Sequence, residues 1–186
     1  MAPVVHSLRR ATPADLPALG ALIAASAREL SRGDYSDAQV EGALSGAFGV
    51  DTQLIRDGSY FLAETDESLA ACGGWSRRRT LFGSDQRADR DATELDPVTE
   101  AARIRAFFVH PDFARRGLAT RLLERCERDA VAHGFRAFEL MATLPGVRFY
   151  AARGYVGDAP VDWPLAEGLS IRFLPMRKAA EPEERR

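Results

Sequence analysis

Between Arg103 and Ala130 the chain reads RIRAFFVHPDFARRGLATRLLERCERDA. An apolar run closes at Val109, and His110 and Pro111 make a turn. Arg115, Arg116, Gly117, Leu118 and Ala119 then lead into an amphipathic helix. Residue types in that order suit a pyrophosphate. The start of a helix presents unpaired N–H donors and the positive end of the helix dipole. Gly117 permits a turn conformation closed to other residues. Ala119 is too small to block an approaching phosphate, and Thr120 places a hydroxyl in the first turn. Arg115 and Arg116 add positive charge and further donors. The main chain from Arg115 through Leu118 to Thr120 is therefore the expected cradle. A Walker loop is excluded because no GxxxxGK[ST] occurs, and no GxGxxG marks a dinucleotide.

The elements that must position this segment follow from hydrophobic period and punctuation. Val4 to Arg9 reads as a strand. A helix follows with Asp15 as N-cap and Pro17 in its first turn, where the missing N–H costs nothing. Leu16, Leu19, Ile23 and Leu30 give it one apolar face. Ser36 opens a second helix, with Gln39 completing a capping box and Val40, Ala43, Leu44 and Ala47 on the apolar side. Tyr60 to Glu64 and Leu69 to Trp75 read as a hairpin around TDES. Residues 76–101 lack periodicity and carry many charges, reading as a long loop or a loop-tipped hairpin. Such a segment is either a lid or a solvated surface loop. Ala102 to Val109 is a strand and Thr120 to His133 a helix ending at Gly134. Phe135 to Ala142 is again a strand, and Pro145 to Arg153 a helix. Tyr155 to Val161 and Leu169 to Met176 are closing strands, followed by a polar tail from 179 to 186. This order gives an α/β fold with a mixed sheet flanked by helices.

Composition narrows the function. Hydrophobic residues at 46% and charged residues at 28% are ordinary for a soluble globular protein. The length of 186 residues fits one α/β domain. A net charge of -2 argues against bulk binding of nucleic acid. No apolar run reaches the roughly 18 residues of a membrane span, and the N-terminus lacks a signal-peptide core. Cys72 and Cys126 form no CxxC pair, and His6 and His133 have no metal-like spacing, so neither disulfides nor a metal site is expected. A reducing cytoplasm is the expected location.

The residues carry a resemblance. RRATPADLPAL, the hairpin ending in GGW, VHPDFARRGLATRLL and FYAARGY occur in the order found in GNAT-family N-acetyltransferases, across roughly residues 5 to 176. The family loop pattern is Gln or Arg, two variable residues, Gly, one variable residue, then Gly or Ala. Here it reads Ala114, Arg115, Arg116, Gly117, Leu118, Ala119, so the first position departs from the pattern. The resemblance implies a GNAT acyl-CoA N-acyltransferase fold over residues 1–178. Its central sheet would be mostly antiparallel, splayed at the cofactor site and flanked by about four helices. It implies acetyl-CoA as cosubstrate and an amine acceptor on a small molecule or peptide. It also implies main-chain contacts from Phe108, Val109 and His110 to the pantetheine arm, and no metal. Dimers are frequent in the family, so a homodimer is among the expectations.

Acetyl transfer needs a positioned acyl group, a donor for the oxyanion, a neutral amine and a proton for the leaving thiolate. By resemblance, Tyr150 is the general acid; its other reading is a helix tyrosine packed over the core beside Phe149. The family often has an Asn at the start of this helix, where LPGVRFY has none. No general base is legible, and Glu64, Asp96, Glu139 or a water chain are the candidates. Period two places Arg103 and Arg105 on one strand face with Phe107, either paired with Glu139 or open to an anionic substrate. His110 also reads as a turn residue capping the strand end. Two other function classes compete: a non-catalytic acyl-CoA-binding module of the same fold, and an RNA-associated protein using Arg77 to Arg79 with Arg87 and Arg90.

Overall fold

The computed structural model describes residues 7–66, 68–87 and 89–180. The Val4 to His6 part of the first expected strand, Glu67 of the TDES turn and residues 181–186 of the tail lie outside the described residues. Strand β1 (Ser7–Arg10) leads through a short 3-10 turn at Pro13–Asp15 into α1 (Leu16–Leu30). The Asp15 carboxylate closes that turn: it accepts from the Thr12 N–H at 2.7 Å and from Arg9 Nη2 at 2.7 Å. Arg9 holds this carboxyl well below the usual range. Pro17 sits in the first turn of α1, as its missing N–H requires. The buried face of α1 is Leu19, Leu22, Ile23, Ser26 and Ala27, while Leu30 is exposed.

Helix α2 (Asp37–Leu44) has both halves of the Ser36–Gln39 capping box, and Gln39 also donates to the Ser170 carbonyl at 2.7 Å. A short helix, α3 (Thr52–Arg56), follows. Its N-cap Asp51 accepts from the Gln53 N–H. Strands β2 (Tyr60–Glu64), β3 (Leu69–Ser76) and β4 (Ala102–Val109) precede α4 (Leu118–Ala132). Then come β5 (Ala137–Thr143), α5 (Val147–Ala151), β6 (Val156–Gly157), β7 (Val161–Pro164) and β8 (Ser170–Ala179). The expected strand over Tyr155 to Val161 is thus two short strands. Each pairs with a different half of β8, and the chain between them contains Pro160, which cannot donate to a ladder.

Among the described residues, the sheet has eight strands in the order β1-β2-β3-β4-β5-β8-β6, with β7 also on β8. All pairings are antiparallel except β4 with β5. Two apolar cores cover its two faces. On one, Leu118, Leu122, Leu123, Cys126 and Ala130 of α4 pack over Phe61, Trp75, Phe138 and Leu140. Each fully buried leucine there contributes about 1.5–3 kcal/mol. The Trp75 indole N–H donates to Asp129 at 2.9 Å and ties β3 to α4. On the other face, α1 and α2 pack over Tyr60, Leu62, Cys72, Ile171 and Phe173. Among the described residues, no helix is long and apolar enough to cross a membrane.

Candidate active site

The sheet opens at its one parallel junction. Strands β4 and β5 are in register only at Ala102 with Phe138 and Arg103 with Glu139. Beyond that they diverge, and a cleft of about 580 Å³ passes between them. Side chains of both cores line it, Phe107, Leu140 and Tyr150 from one and Phe48, Met141 and Phe173 from the other.

A bulge in β4 shapes the opening. Pairing with β3 steps from Cys72 with Phe108 to Gly74 with Arg105, so Ala106 and Phe107 together face Gly73. Ala106 takes a left-handed φ of 56°, strained for a residue with a Cβ. Its carbonyl accepts from the buried Tyr60 hydroxyl at 3.4 Å and the Cys72 thiol at 3.5 Å. Burial pushes the Cys72 thiol up to about 12 and raises the Tyr60 phenol, so both stay protonated as donors. Gly73 is required beside the bulge, because a Cβ there would lie 2.7 Å from the Phe107 ring. The bulge also reverses the alternation. Phe107 packs with the α4 core while Ala106 and Phe108 pack with the α1 core, so Phe107 does not share a face with Arg105.

At one end of the cleft lies the start of α4. Gly117 is its N-cap at φ 78°, and Arg115 is also left-handed at φ 61°. A Cβ on Gly117 would meet nothing within 4 Å, so glycine serves the backbone angle rather than relieving a contact. Arg115, Gly117, Leu118, Ala119 and Thr120 line the cleft. Arg116 lies outside the lining, its guanidinium 5.2 Å from the Phe113 ring centroid. Arg153 joins this end by donating to Thr120 Oγ1 at 2.6 Å. It went unnoticed in the sequence because it sits 33 residues from Thr120; its position within FYAARGY, beside the tyrosine, is the one signal available. These donors and cations fit a diphosphate, and the diverged strands fit an extended arm.

Along the middle, Phe108 and Val109 line the cleft. The Val109 N–H is held by Ser26 Oγ of α1 at 3.2 Å. The His110 N–H pairs with the Ala70 carbonyl at 2.8 Å. Its ring accepts from the Asp112 N–H, capping the turn after β4, and His110 lies outside the lining. Tyr150 faces the cleft, 9% exposed, and packs edge-on against Phe149, Tyr155 and Phe107. Burial, with the Cys126 thiol beside it, raises its phenol above the usual tyrosine value.

The three carboxylates considered as bases all lie outside the cleft lining. Glu64 accepts from Arg9, Asp96 from the Val98 N–H and the Thr99 hydroxyl, and Glu139 pairs with Arg103 and Arg177. Arg105 turns away from any small anion: its Nη2 lies 2.7 Å from Asp51 and donates to the Gly83 carbonyl at 2.6 Å. Burial lowers Arg105 to about 10, which leaves it charged at neutral pH.

Residues 76–101, apart from Ala88, which lies outside the described residues, close the far end. They form a hairpin, with Arg78 bridging Glu94, that folds back onto the chain after α2. Ser84 donates twice to the Gly46 carbonyl, and the Asp85 N–H to the Val50 carbonyl. Arg90 donates to Asp51 at 2.7 Å. Asp57 receives Arg78 through two bonds of 2.8 and 2.9 Å, Arg79 pairs with Glu100 and Arg87 with Asp89. The arginines considered for RNA are therefore paired within the chain. Leu81, Phe82 and Gly83 line the cleft.

A mixed sheet opened between parallel β4 and β5, beside the start of the helix that follows β4, defines an N-acyltransferase fold. A model of the acetyltransferase (GNAT) family matches residues 26–155, and the chain belongs to that family. Similar solved structures include a GCN5-related N-acetyltransferase from Rhodopseudomonas palustris. It is 21% identical, with a TM-score of 0.70, over 96% of this chain and 98% of that one. The PaiA N-acetyltransferase of Thermoplasma acidophilum, solved with coenzyme A, is 14% identical with a TM-score of 0.63, over 93% and 98%. The ribosomal-protein-alanine N-acetyltransferase of Brucella melitensis is 16% identical with a TM-score of 0.61, over 94% and 99%. No curated protein matches the sequence.

Proposed function

We propose that this protein transfers acetyl from acetyl-CoA to a primary amine of a small molecule or peptide by direct attack on the thioester. The observation that carries the reading is the divergence of β4 from β5 directly beside the open first turn of α4. When bound, acetyl-CoA supplies an activated acyl group. The first-turn N–H groups of α4, with Arg115 and Arg153, receive the pyrophosphate. The main chain at Phe108 and Val109 runs beside the pantetheine arm in the manner of an added strand. In the transfer, the amine nitrogen bonds to the carbonyl carbon and the C–S bond breaks. The amine's proton leaves to water, and the thiolate takes a proton from the Tyr150 hydroxyl, which water then restores. A phenol kept protonated by burial suits that donor role.

Thiol release from acetyl-CoA in the presence of an amine tests the reading directly. Tyr150→Phe is expected to lower kcat by about 10²–10⁴ with the acetyl-CoA Kd unchanged in calorimetry. Because burial raises this phenol, its ionisation produces no loss of rate below its ordinary value of about 10. An unchanged kcat assigns Tyr150 to packing. CoA binding without release by any amine assigns the chain to a binding module.

A further inference from the structure

From the middle of the cleft to the end away from α4, one wall is aromatic. Phe108 of β4, Phe48 after α2, Phe173 of β8 and Phe82 of the 76–101 hairpin all line it. Their rings meet in an unbroken edge-to-face or tilted series. Phe108 and Phe48 are 6.0 Å apart, Phe48 and Phe173 6.2 Å, and Phe173 and Phe82 5.3 Å. Trp163 of β7 backs Phe82 at 4.8 Å and 87°. Arg87 locks that pair: its guanidinium lies 4.5 Å from one ring centroid and 4.4 Å from the other, and it donates to the Phe82 carbonyl at 2.8 Å. The wall is thus assembled from four separate segments and held in place from behind.

The charge of the cleft points the same way. Among the described residues, its charged lining side chains are Arg105, Arg115 and Arg153. Arg105 is closed off by Asp51 and Gly83, while Arg115 and Arg153 stand at the α4 end. A polycationic acceptor would meet like charge and apolar surface, giving up its hydration without a partner. A flat ring bearing one amine would exchange water for ring edges and faces over most of its surface and desolvate a single charge instead of several.

Resting on the transferase reading above, we infer that this wall selects a primary amine borne on an aromatic body as the acetyl acceptor, with Phe82, the half-buried ring held between Phe173 and Trp163, as its specificity-determining side chain. The ring stacks against the wall, and its amino group points toward the opening between β4 and β5.

Thiol release is compared for 2-phenylethylamine, aniline, spermidine, kanamycin and an alanine-initiated peptide. One of the two aromatic amines is expected to exceed the other three in kcat/KM by about 10-fold or more. Phe82→Leu, which keeps apolar volume while removing the ring, is expected to raise its KM by about 5-fold with the acetyl-CoA Kd unchanged. Preference for spermidine, kanamycin or the peptide overturns the inference while leaving the transferase reading intact. If no amine releases thiol, the transferase reading fails, and titration of the CoA-saturated protein with 2-phenylethylamine decides the inference separately. A saturable change in fluorescence that is lost in Trp163→Phe supports the aromatic site. A flat titration rejects it.

Discussion

The two ends of this cleft are built by different rules. The α4 end comes from one continuous stretch, β4 through the first turn of α4, and what it presents is main-chain N–H groups at backbone angles that Gly117 and Arg115 set. The far end comes from the chain after α2, the 76–101 hairpin, β4 and β8, and what it presents is side chains. Recognition by main chain, as proposed above for this end, tolerates side-chain change such as Ala114 where the family pattern has Gln or Arg. Side-chain recognition depends on how distant segments are held against one another. Here they are held by the buried charges of Asp51, Arg105 and Arg90 together with the Phe82–Arg87–Trp163 stack.

Breaking each end separately should show this division. The largest effect is expected at the buried pair, where Asp51 and Arg105 are 1% and 2% exposed. Asp51→Ala strands the Arg105 and Arg90 charges and should cost about 3–5 kcal/mol of stability, read from the denaturant midpoint. A variant that unfolds at the wild-type midpoint would show that the pair does not hold the far end. Next in size is Gly117→Glu. A side chain at this φ costs about 1–2 kcal/mol, with room for its Cβ. The introduced carboxylate should weaken CoA binding by roughly 100-fold in calorimetry while circular dichroism stays native. Unaltered affinity would move the pyrophosphate away from α4. The smallest effect is expected for Ser36→Ala, which removes the α2 cap and should cost about 1 kcal/mol. It leaves the Gln39 contact with Ser170 available, so CoA affinity should not change. A loss of CoA affinity in this variant would mean that the two ends are coupled through α2.

The legible parts of the fold share a physical trait. The Ser36–Gln39 box, the hairpin of β2 and β3, strand β4 and helix α4 each announce themselves within about fifteen residues, through a cap, a turn or a period. Helix α3 escaped because five residues cannot display a helical period, although Asp51 is a proper cap for it. Phe107 was placed on the wrong face because a bulge adds one residue to β4, and the pattern ARIRAFFV carries no mark of it. Arg153 was missed because its partner Thr120 lies on another element. For residues 76–101 the sequence offers a long loop or a loop-tipped hairpin, and the Arg78–Glu94 bridge decides for the hairpin; its ion pairs are not legible, because charge in a sequence does not say whether it is solvated or paired.

The sequence by itself determined the family and the elements that meet at the α4 end, since both depend on local order: strand, turn, Arg-Arg-Gly-Leu-Ala, helix. Only the tertiary structure decided which side chains face the cleft, that the candidate carboxylates Glu64, Asp96 and Glu139 lie outside its lining with partners of their own, and that four phenylalanines from distant segments form one wall. The reason is that backbone donors and left-handed turns are specified by neighbours in the chain. The pairing of charges and the stacking of rings are specified by neighbours in space.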